Sequence, residues 1–243
     1  MLTCYTVTAN GQAQRGPWLA GRDPSQIAWI DLLQPTVEEE HDVEKALGID
    51  LPTREEMAEI EDSSRFYKEN GALYLTATVM TQSESDVPST SDVTFVLVRN
   101  MLVTVRYADP RPFRTFAALA ERQAGVCANG ETALLGLLDA FLDRIADLIE
   151  KTSLDIDSLV HKVLSPQQRV RGGSEYAGML RRLERSQTLL AKARMSLLGL
   201  MRLLSFAARP TPESYGTKTF RAQLLTLIHD VRSLLEHTNY LGN

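Results

Sequence analysis

The chain has few cysteines and no hydrophobic run long enough to span a bilayer. Cys4 and Cys127 are the two cysteines among its 243 residues, and neither belongs to a Cys-x-x-Cys pair. Their separation argues against a disulfide framework or a thiolate zinc site and favours a reducing compartment. The start of the chain lacks the basic segment and apolar stretch of a signal peptide, and no run approaches the roughly 18 to 20 apolar residues of a transmembrane helix. We therefore expect the chain, as given, to be soluble.

Motifs of common catalytic sites are also missing. The sequence has no glycine-rich phosphate loop, no Gly-x-Ser-x-Gly elbow and no His-Glu-x-x-His motif. Its acidic residues fall on helices with capping signals and have no partnered base. We therefore expect that the protein is not an enzyme, although folds of sheet and helix often host catalysis.

Positive charge is scarce in the first two thirds of the chain. Residues 1 to 165 contain 14 Lys and Arg against 26 Asp and Glu, whereas residues 166 to 243 contain 12 against 5. The basic part lacks interleaved aromatics and a nucleic-acid motif, so we expect no nucleic-acid partner. Anionic lipid headgroups, or the acidic half of a neighbouring subunit, explain the charge equally well. Its arginines are spread along a helical pattern: Arg181, Arg182, Arg185, Arg194 and Arg202.

Residues 27 to 80 carry the most informative local signals, beginning and ending with strands. Residues 27 to 33 form a short apolar run with a lone acid, which is typical of a strand. Residues 65 to 69 and 72 to 80 predict two further strands, joined by the tight turn that Asn70-Gly71 favours.

Two short helices are predicted between these strands. Thr36 with Glu39, and Thr53 with Glu56, each match the capping box, in which a hydroxyl and a carboxylate satisfy reciprocal backbone amides at a helix start. Gly48 suits the left-handed residue that ends the first helix. The segment therefore reads as strand, helix, helix, hairpin.

The rest of the first half alternates strands with helices. Strand signals cover residues 1 to 8, 92 to 98 and 101 to 107, a helix is indicated over 113 to 123, and residues 82 to 91 have a loop composition. Because hairpin-linked and helix-linked strands both occur, we expect an α+β fold with a mixed sheet covered by helices.

From Glu131 onward the pattern is that of long helices. Apolar residues keep helical spacing until Pro166, and a second helix begins after Gly172-Gly173 and ends before Pro210. We expect an antiparallel pair with residues 166 to 173 as the turn.

A third helix, from about Gly216 to the end, carries a heptad seam that implies a partner helix. The partner is either the preceding helix pair or another copy of the chain, and we favour self-association because the helix is expected to continue past Asn243. The seam consists of Phe220, Leu224, Leu227, Val231, Leu234, Thr238 and Leu241. The predicted parts are an α/β domain over residues 1 to 128, a long-helix pair over 129 to 209, and the start of a stalk helix over 210 to 243.

Three segments carry a resemblance to a known family: residues 27 to 80, Leu-Leu-Asp-Ala-Phe-Leu-Asp at 137 to 143, and His-Asp-Val-Arg-Ser-Leu-Leu-Glu-His at 229 to 237. Together they resemble the cytoplasmic portion of the CorA magnesium and cobalt transporters, particularly the proteobacterial branch. The resemblance implies a homopentamer in the cell inner membrane, with an α/β/α layered domain and a stalk in the cytoplasm. The membrane helices, and the Gly-Met-Asn signature of the family, are absent and are expected after Asn243.

The resemblance also implies that Mg²⁺, with Co²⁺ as an alternative ion, binds weakly between neighbouring subunits and holds the channel closed. Carboxylates suit this hard cation. The family's acidic positions fall on Glu55, Glu56, Asp139 and Asp230 of this chain. Glu56 is also explained by helix capping. Asp139 forms an i, i+4, i+8 row with Asp143 and Asp147, which more often marks a solvated helix face.

Two alternatives remain open at this point. A ZntB-type zinc transporter shares the architecture, but Zn²⁺ prefers His and Cys ligands, and of the four histidines only His229 and His237 could share a helix. A soluble oligomeric adaptor built on the same fold is the other alternative.

Overall fold

A computed structural model describes residues 1 to 18, 26 to 85, 87 to 164, 173 to 209 and 216 to 242. The described strands are β1 (Leu2–Val7), β2 (Ala13–Pro17), β3 (Ile27–Leu33), β4 (Phe66–Glu69), β5 (Ala72–Thr81), β6 (Ser89–Val98) and β7 (Met101–Arg106). The described helices are α1 (Val37–Leu47), α2 (Arg54–Met57), α3 (Asp62–Arg65), α4 (Arg111–Arg122), α5 (Gly130–Leu164), α6 (Gly173–Ala207) and α7 (Lys218–Gly242).

The strands form one mixed sheet in the order β2-β1-β3-β7-β6-β5-β4. β3 and β7 pair in parallel, and the other neighbouring strands pair antiparallel. The predicted α+β fold with a mixed sheet is confirmed. The predicted loop over residues 82 to 91 was too long, because Thr81 extends β5 and pairs with Ser89 of β6. β2 and α3 were not predicted.

The local signals around the short helices are confirmed. The Thr36 hydroxyl accepts from the Glu39 amide, and the Glu39 carboxylate accepts from the Thr36 amide at 3.0 Å. Gly48 ends α1 in the left-handed region with φ 69°. Asn70 and Gly71, at φ 48° and 76°, make the tight turn between β4 and β5.

Two hydrophobic clusters lie on opposite faces of the sheet, since alternate strand residues point to opposite sides. Trp29 and Phe95 belong to the larger cluster, which includes α4 and the three long helices. Ile30 and Val96 belong to the smaller cluster, which α1 and α2 cover. The layered arrangement is thus confirmed. Because the larger cluster runs unbroken from the sheet into the long helices, the border near residue 128 stays a prediction.

The lone acid of β3 forms a buried ion pair with the last residue of β7. Arg106 donates to the two Asp31 carboxylate oxygens at 3.0 and 2.8 Å, and both side chains are 5% exposed. Asp31 also accepts from the Thr104 hydroxyl at 2.7 Å. Burial alone would lower the pKa of Arg106, but its hydrogen bonds and charge interactions with Asp31 and Asp109 hold that pKa above the ordinary value.

The heptad seam of α7 packs inside the chain. Phe220, Leu224, Leu227 and Val231 are buried in the larger cluster together with residues of α5 and α6. The seam therefore has partner helices within one chain, and it no longer argues for self-association. The sequence alone could not show that the preceding helices lie close enough to cover the seam.

The long helices α5 and α6 run antiparallel. Lys162 pairs with Glu175 at 2.6 Å, and Asp155 pairs with Arg182 at 3.3 Å, so residues late in α5 meet residues early in α6. The turn predicted between them lies outside the described residues except for its last residue, Gly173.

Candidate metal centre

The predicted metal residues of α2, Glu55 and Glu56, differ in their contacts. Thr53 caps α2, and its amide and hydroxyl donate to the Glu56 carboxylate at 2.8 and 3.0 Å. Glu55 is exposed, and its carboxylate has no hydrogen bond or ion pair with a described residue. Glu56 is thus a capping residue in this structure, whereas Glu55 is available to a ligand.

Arg65 fixes the position of α2 against the sheet. Its guanidinium donates to the backbone carbonyls of Met57 and Glu59 at 3.2 and 2.7 Å. The same group pairs with Asp92 of β6 at 2.5 Å. A helix of four residues has little stability of its own, so this anchoring sets where Glu55 points. The sequence pattern assigned Arg65 to a strand and gave no sign of this role.

Asp139 of α5 and Asp230 of α7 lie near enough for their charges to interact. Burial raises the pKa of Asp139 above its ordinary value of 3.8, and the neighbouring charges of Asp143 and Asp230 raise it further. None of the three carboxylates forms an ion pair with a described residue. We call Asp139, Asp143 and Asp230 the acidic cluster. The cluster concentrates negative charge, and no described cationic side chain forms an ion pair with it.

Contacts at the starts of α5 and α7 fix how these two helices align with each other. Gly130 begins α5 so close to β7 that a Cβ there would lie 2.3 Å from the Met101 carbonyl carbon. Glu131 accepts from the Thr217 amide and hydroxyl at 3.0 and 2.9 Å, which ties the start of α7 to the start of α5. Thr217 in turn accepts from the Phe220 amide at 3.0 Å as an N-terminal cap.

Asp147 does not belong with the acidic cluster. Successive i, i+4 positions rotate around a helix by about 40°, so a row of three drifts from one face toward another. Asp147 lines a cavity between α5 and α6 beside Arg182 and Arg185. The predicted row is therefore divided between two environments.

The four predicted residues do not form one site within the chain. Met57 beside Glu56 packs in the smaller cluster, whereas Leu138 beside Asp139 packs in the larger one, so the sheet separates the two sets. In the described ranges, no three His, Cys, Asp or Glu residues are grouped so that they could hold a metal ion. Carboxylates are suitable ligands for Mg²⁺, but each set supplies too few for a closed site.

A protein-family model described as "CorA-like Mg2+ transporter protein" matches residues 24 to 242. The chain belongs to this family. CorA relatives include the magnesium transport protein of Pectobacterium atrosepticum, 29% identical over 219 residues that cover 90% of this chain and 67% of that protein. The magnesium transport protein CorA of Escherichia coli is 29% identical over 213 residues, covering 88% of this chain and 65% of that protein. The chain spans about two thirds of the length of these relatives.

Solved structures of CorA and ZntB proteins share the fold. The soluble domain of CorA from Methanocaldococcus jannaschii aligns with a TM-score of 0.75 at 15% identity, over 100% of this chain and 92% of that one. The ZntB cytoplasmic domain from Vibrio parahaemolyticus aligns with a TM-score of 0.70 at 9% identity, over 99% and 91%. At these identities the likeness concerns the fold alone. None of the described helices is long and apolar enough to cross a membrane.

Proposed function

We propose that this chain is the cytoplasmic, Mg²⁺-sensing domain that gates a CorA-type channel for magnesium and cobalt in the cell inner membrane. The full protein is a homopentamer in this proposal, and it reaches the membrane through helices that follow α7. Mg²⁺ acts both as the transported ion and as a weakly bound regulator.

The observation that carries the proposal is the environment of Asp139. Three carboxylates of the acidic cluster repel one another, and a divalent cation would relieve that repulsion. Mg²⁺ retains much of its water and needs only one or two carboxylates. Asp139 and Asp230 would hold the ion in this proposal. Asp143 would add to the negative electrostatic potential at the ion.

The separation of the two acid sets favours a site completed by a neighbouring subunit. Glu55 lies on one face of the sheet, and Asp139 lies beyond the other. A surface carboxylate such as Glu55 is free to face the acidic cluster of the next subunit across an interface. Binding between folded subunits would stabilise the assembly, and loss of Mg²⁺ would loosen it.

The test is thermal unfolding of the chain with and without Mg²⁺ in the wild type, Asp139→Asn and Asp230→Asn. Mg²⁺ at 100 times its Kd is expected to stabilise the wild type by about 2.7 kcal/mol by linkage. Each variant should lose most of this response. Asp157→Asn is the matched control, since Asp157 is an exposed acid on the same helix. Equal Mg²⁺ responses in all four proteins would overturn the proposal.

A parallel titration with Zn²⁺ addresses the ZntB-type alternative. Zn²⁺ favours imidazole and thiolate ligands, and no group of three such ligands occurs in the part of the chain that the structure describes. We expect Mg²⁺ and Co²⁺, but not Zn²⁺, to lose their effect when Asp139 is changed to Asn. A response to Zn²⁺ alone would favour the zinc transporter instead.

A further inference from the structure

A cavity of about 360 Å³ lies between the loop after β5, the start of α4 and the facing sides of α5 and α6. The charged residues that line it are more often basic than acidic. Most of the lining residues nevertheless come from residues 1 to 165, where acidic residues outnumber basic ones. A volume of this size suits a small molecule rather than a polymer. The basic residues of the lining are Arg111, Arg144, Lys151, Arg182 and Arg185, and the acidic ones are Glu84, Asp147 and Asp155.

Two arginines of this cavity converge on a single carboxylate from the loop. Arg111 and Arg144 donate to the same Glu84 oxygen at 2.5 and 3.0 Å. Hydrogen bonding and charge from Arg111, then the charge of Arg144, lower the pKa of Glu84. Glu84 is 69% exposed, so it reaches these arginines from the solvent side. Its carboxylate occupies the position that an external oxyanion would take between them.

The cavity also has donors that no described residue satisfies. Arg144 is 19% exposed, and its Nε atom is buried without a hydrogen-bond partner among the described residues. Lys151 is exposed and forms no ion pair with a described residue. Lys151 thus brings an unpaired positive charge to the cavity lining, and the Arg144 guanidinium adds donors to Glu84 and Ser83.

Arg185 is held close to the loop by backbone contacts. It donates to the carbonyl oxygens of Glu84 and Ser85 at 3.3 and 3.0 Å, and Arg144 donates to the Ser83 hydroxyl at 2.9 Å. The loop and the two long helices are thereby joined through guanidinium groups. An anion bound between them would meet charges from α4, α5 and α6 at once.

We propose that this cavity binds the phosphate group of a small soluble molecule, or inorganic phosphate itself, in place of the Glu84 carboxylate. Arg111 and Arg144 supply the paired donors, since guanidinium groups match phosphate oxygens in a two-pronged geometry. Lys151 adds a compact positive charge. Two arginines of the basic C-terminal third, Arg182 and Arg185, line this cavity and would add to its positive charge.

The experiment is a calorimetric titration of the 243-residue chain with inorganic phosphate, in EDTA and at constant ionic strength, with chloride as the reference anion. We expect saturable binding of one phosphate per chain. Lys151→Gln should weaken binding about tenfold, and Arg144→Gln should weaken it at least as much. Glu84→Gln should tighten binding about threefold, because a competing carboxylate is removed.

Arg181→Gln is the matched control, since it removes the same charge from the residue beside Arg182 but lies outside the cavity lining. It should bind phosphate within about twofold of the wild type. Phosphate heats that never saturate, an equal loss in Arg181→Gln and Lys151→Gln, or weaker binding in Glu84→Gln would overturn the proposal. Should Arg144→Gln fail to fold, Lys151→Gln decides alone, because Lys151 is exposed.

A second titration, with pyrophosphate, tests whether the cavity holds one phosphate group or two. Tighter binding than inorganic phosphate would place two phosphate groups among the basic residues, and equal affinity would place one. The Mg²⁺ response of Lys151→Gln should equal that of the wild type, so a failure of phosphate binding is distinguishable from a failure of Mg²⁺ sensing.

Discussion

Three carboxylates around the sheet and the three carboxylates of the acidic cluster have opposite surroundings. Asp31, Glu56 and Asp92 each accept hydrogen bonds from a nearby donor, whether Arg106, the Thr53 cap or Arg65. Asp139 instead faces Asp143 and Asp230, and none of these forms an ion pair with a described residue. Acids of the first kind hold the fold together. In the proposed function, acids of the second kind repel one another until a cation binds, and this contrast would separate structural from regulatory carboxylates.

The largest expected effect comes from removing the arginine that pairs with a carboxylate of the first kind. Arg106→Met should destabilise the chain by about 3–5 kcal/mol, because it leaves Asp31 charged and buried without its partner. Chemical denaturation at neutral pH measures the change. Asp139→Asn, which removes a repelled acid, should not destabilise the metal-free chain. Destabilisation of similar size in both variants would contradict the difference between the two groups of carboxylates.

A smaller effect is expected at α2, where the capping carboxylate of Glu56 is adjacent to Glu55, whose carboxylate has no described partner. Thr53→Ala should cost about 1 kcal/mol with or without Mg²⁺, because a helix cap is lost. Glu55→Gln should leave the metal-free stability unchanged and should reduce the Mg²⁺ response. Thermal unfolding of both variants in EDTA and in Mg²⁺ measures this. A Glu55→Gln variant that loses stability in EDTA would instead make Glu55 structural.

The smallest effect is a pH dependence that belongs to Asp139. Its folded-state pKa lies above the ordinary value of 3.8, so the folded chain binds this proton more tightly than the unfolded chain does. The resulting stabilisation is complete below the unfolded pKa and is lost as pH rises through the folded pKa. Above that window, Asp139→Asn should be more stable than the wild type in EDTA by less than about 1 kcal/mol, since Asp139 is exposed and solvent screens its charge.

Unfolding at several pH values in EDTA measures this difference. The advantage of Asp139→Asn should shrink as pH falls toward the ordinary Asp range. An advantage that stays constant, or grows, would show that repulsion within the acidic cluster does not act on Asp139.

Features decided within a few residues were predictable from the sequence. Both capping boxes, the left-handed Gly48 and the Asn70-Gly71 turn depend on neighbours only, and the structure confirms them. β2 was not predicted, because its sequence Ala-Gln-Arg-Gly-Pro has no alternating apolar pattern.

Contacts between distant residues were not predictable in the same way. Asp31 and Arg106 are 75 residues apart, and no local pattern pairs them. The same holds for Glu84 and Arg144, and therefore for the cavity that we propose binds phosphate. The family resemblance marked Asp139 and Asp230 but did not place them near each other within one chain, and the seam of α7 did not decide between α5 with α6 and another copy of the chain. Tertiary packing decides each of these.

The proposal that Mg²⁺ completes a site between subunits is tested most directly by sedimentation velocity of the 243-residue chain, in EDTA and in millimolar Mg²⁺. We predict that Mg²⁺ shifts the wild type toward a pentamer, that Asp139→Asn and Asp230→Asn remain as in EDTA, and that Asp157→Asn behaves as the wild type. A wild-type chain that sediments identically with and without Mg²⁺, at protein concentrations that permit assembly, would contradict the account.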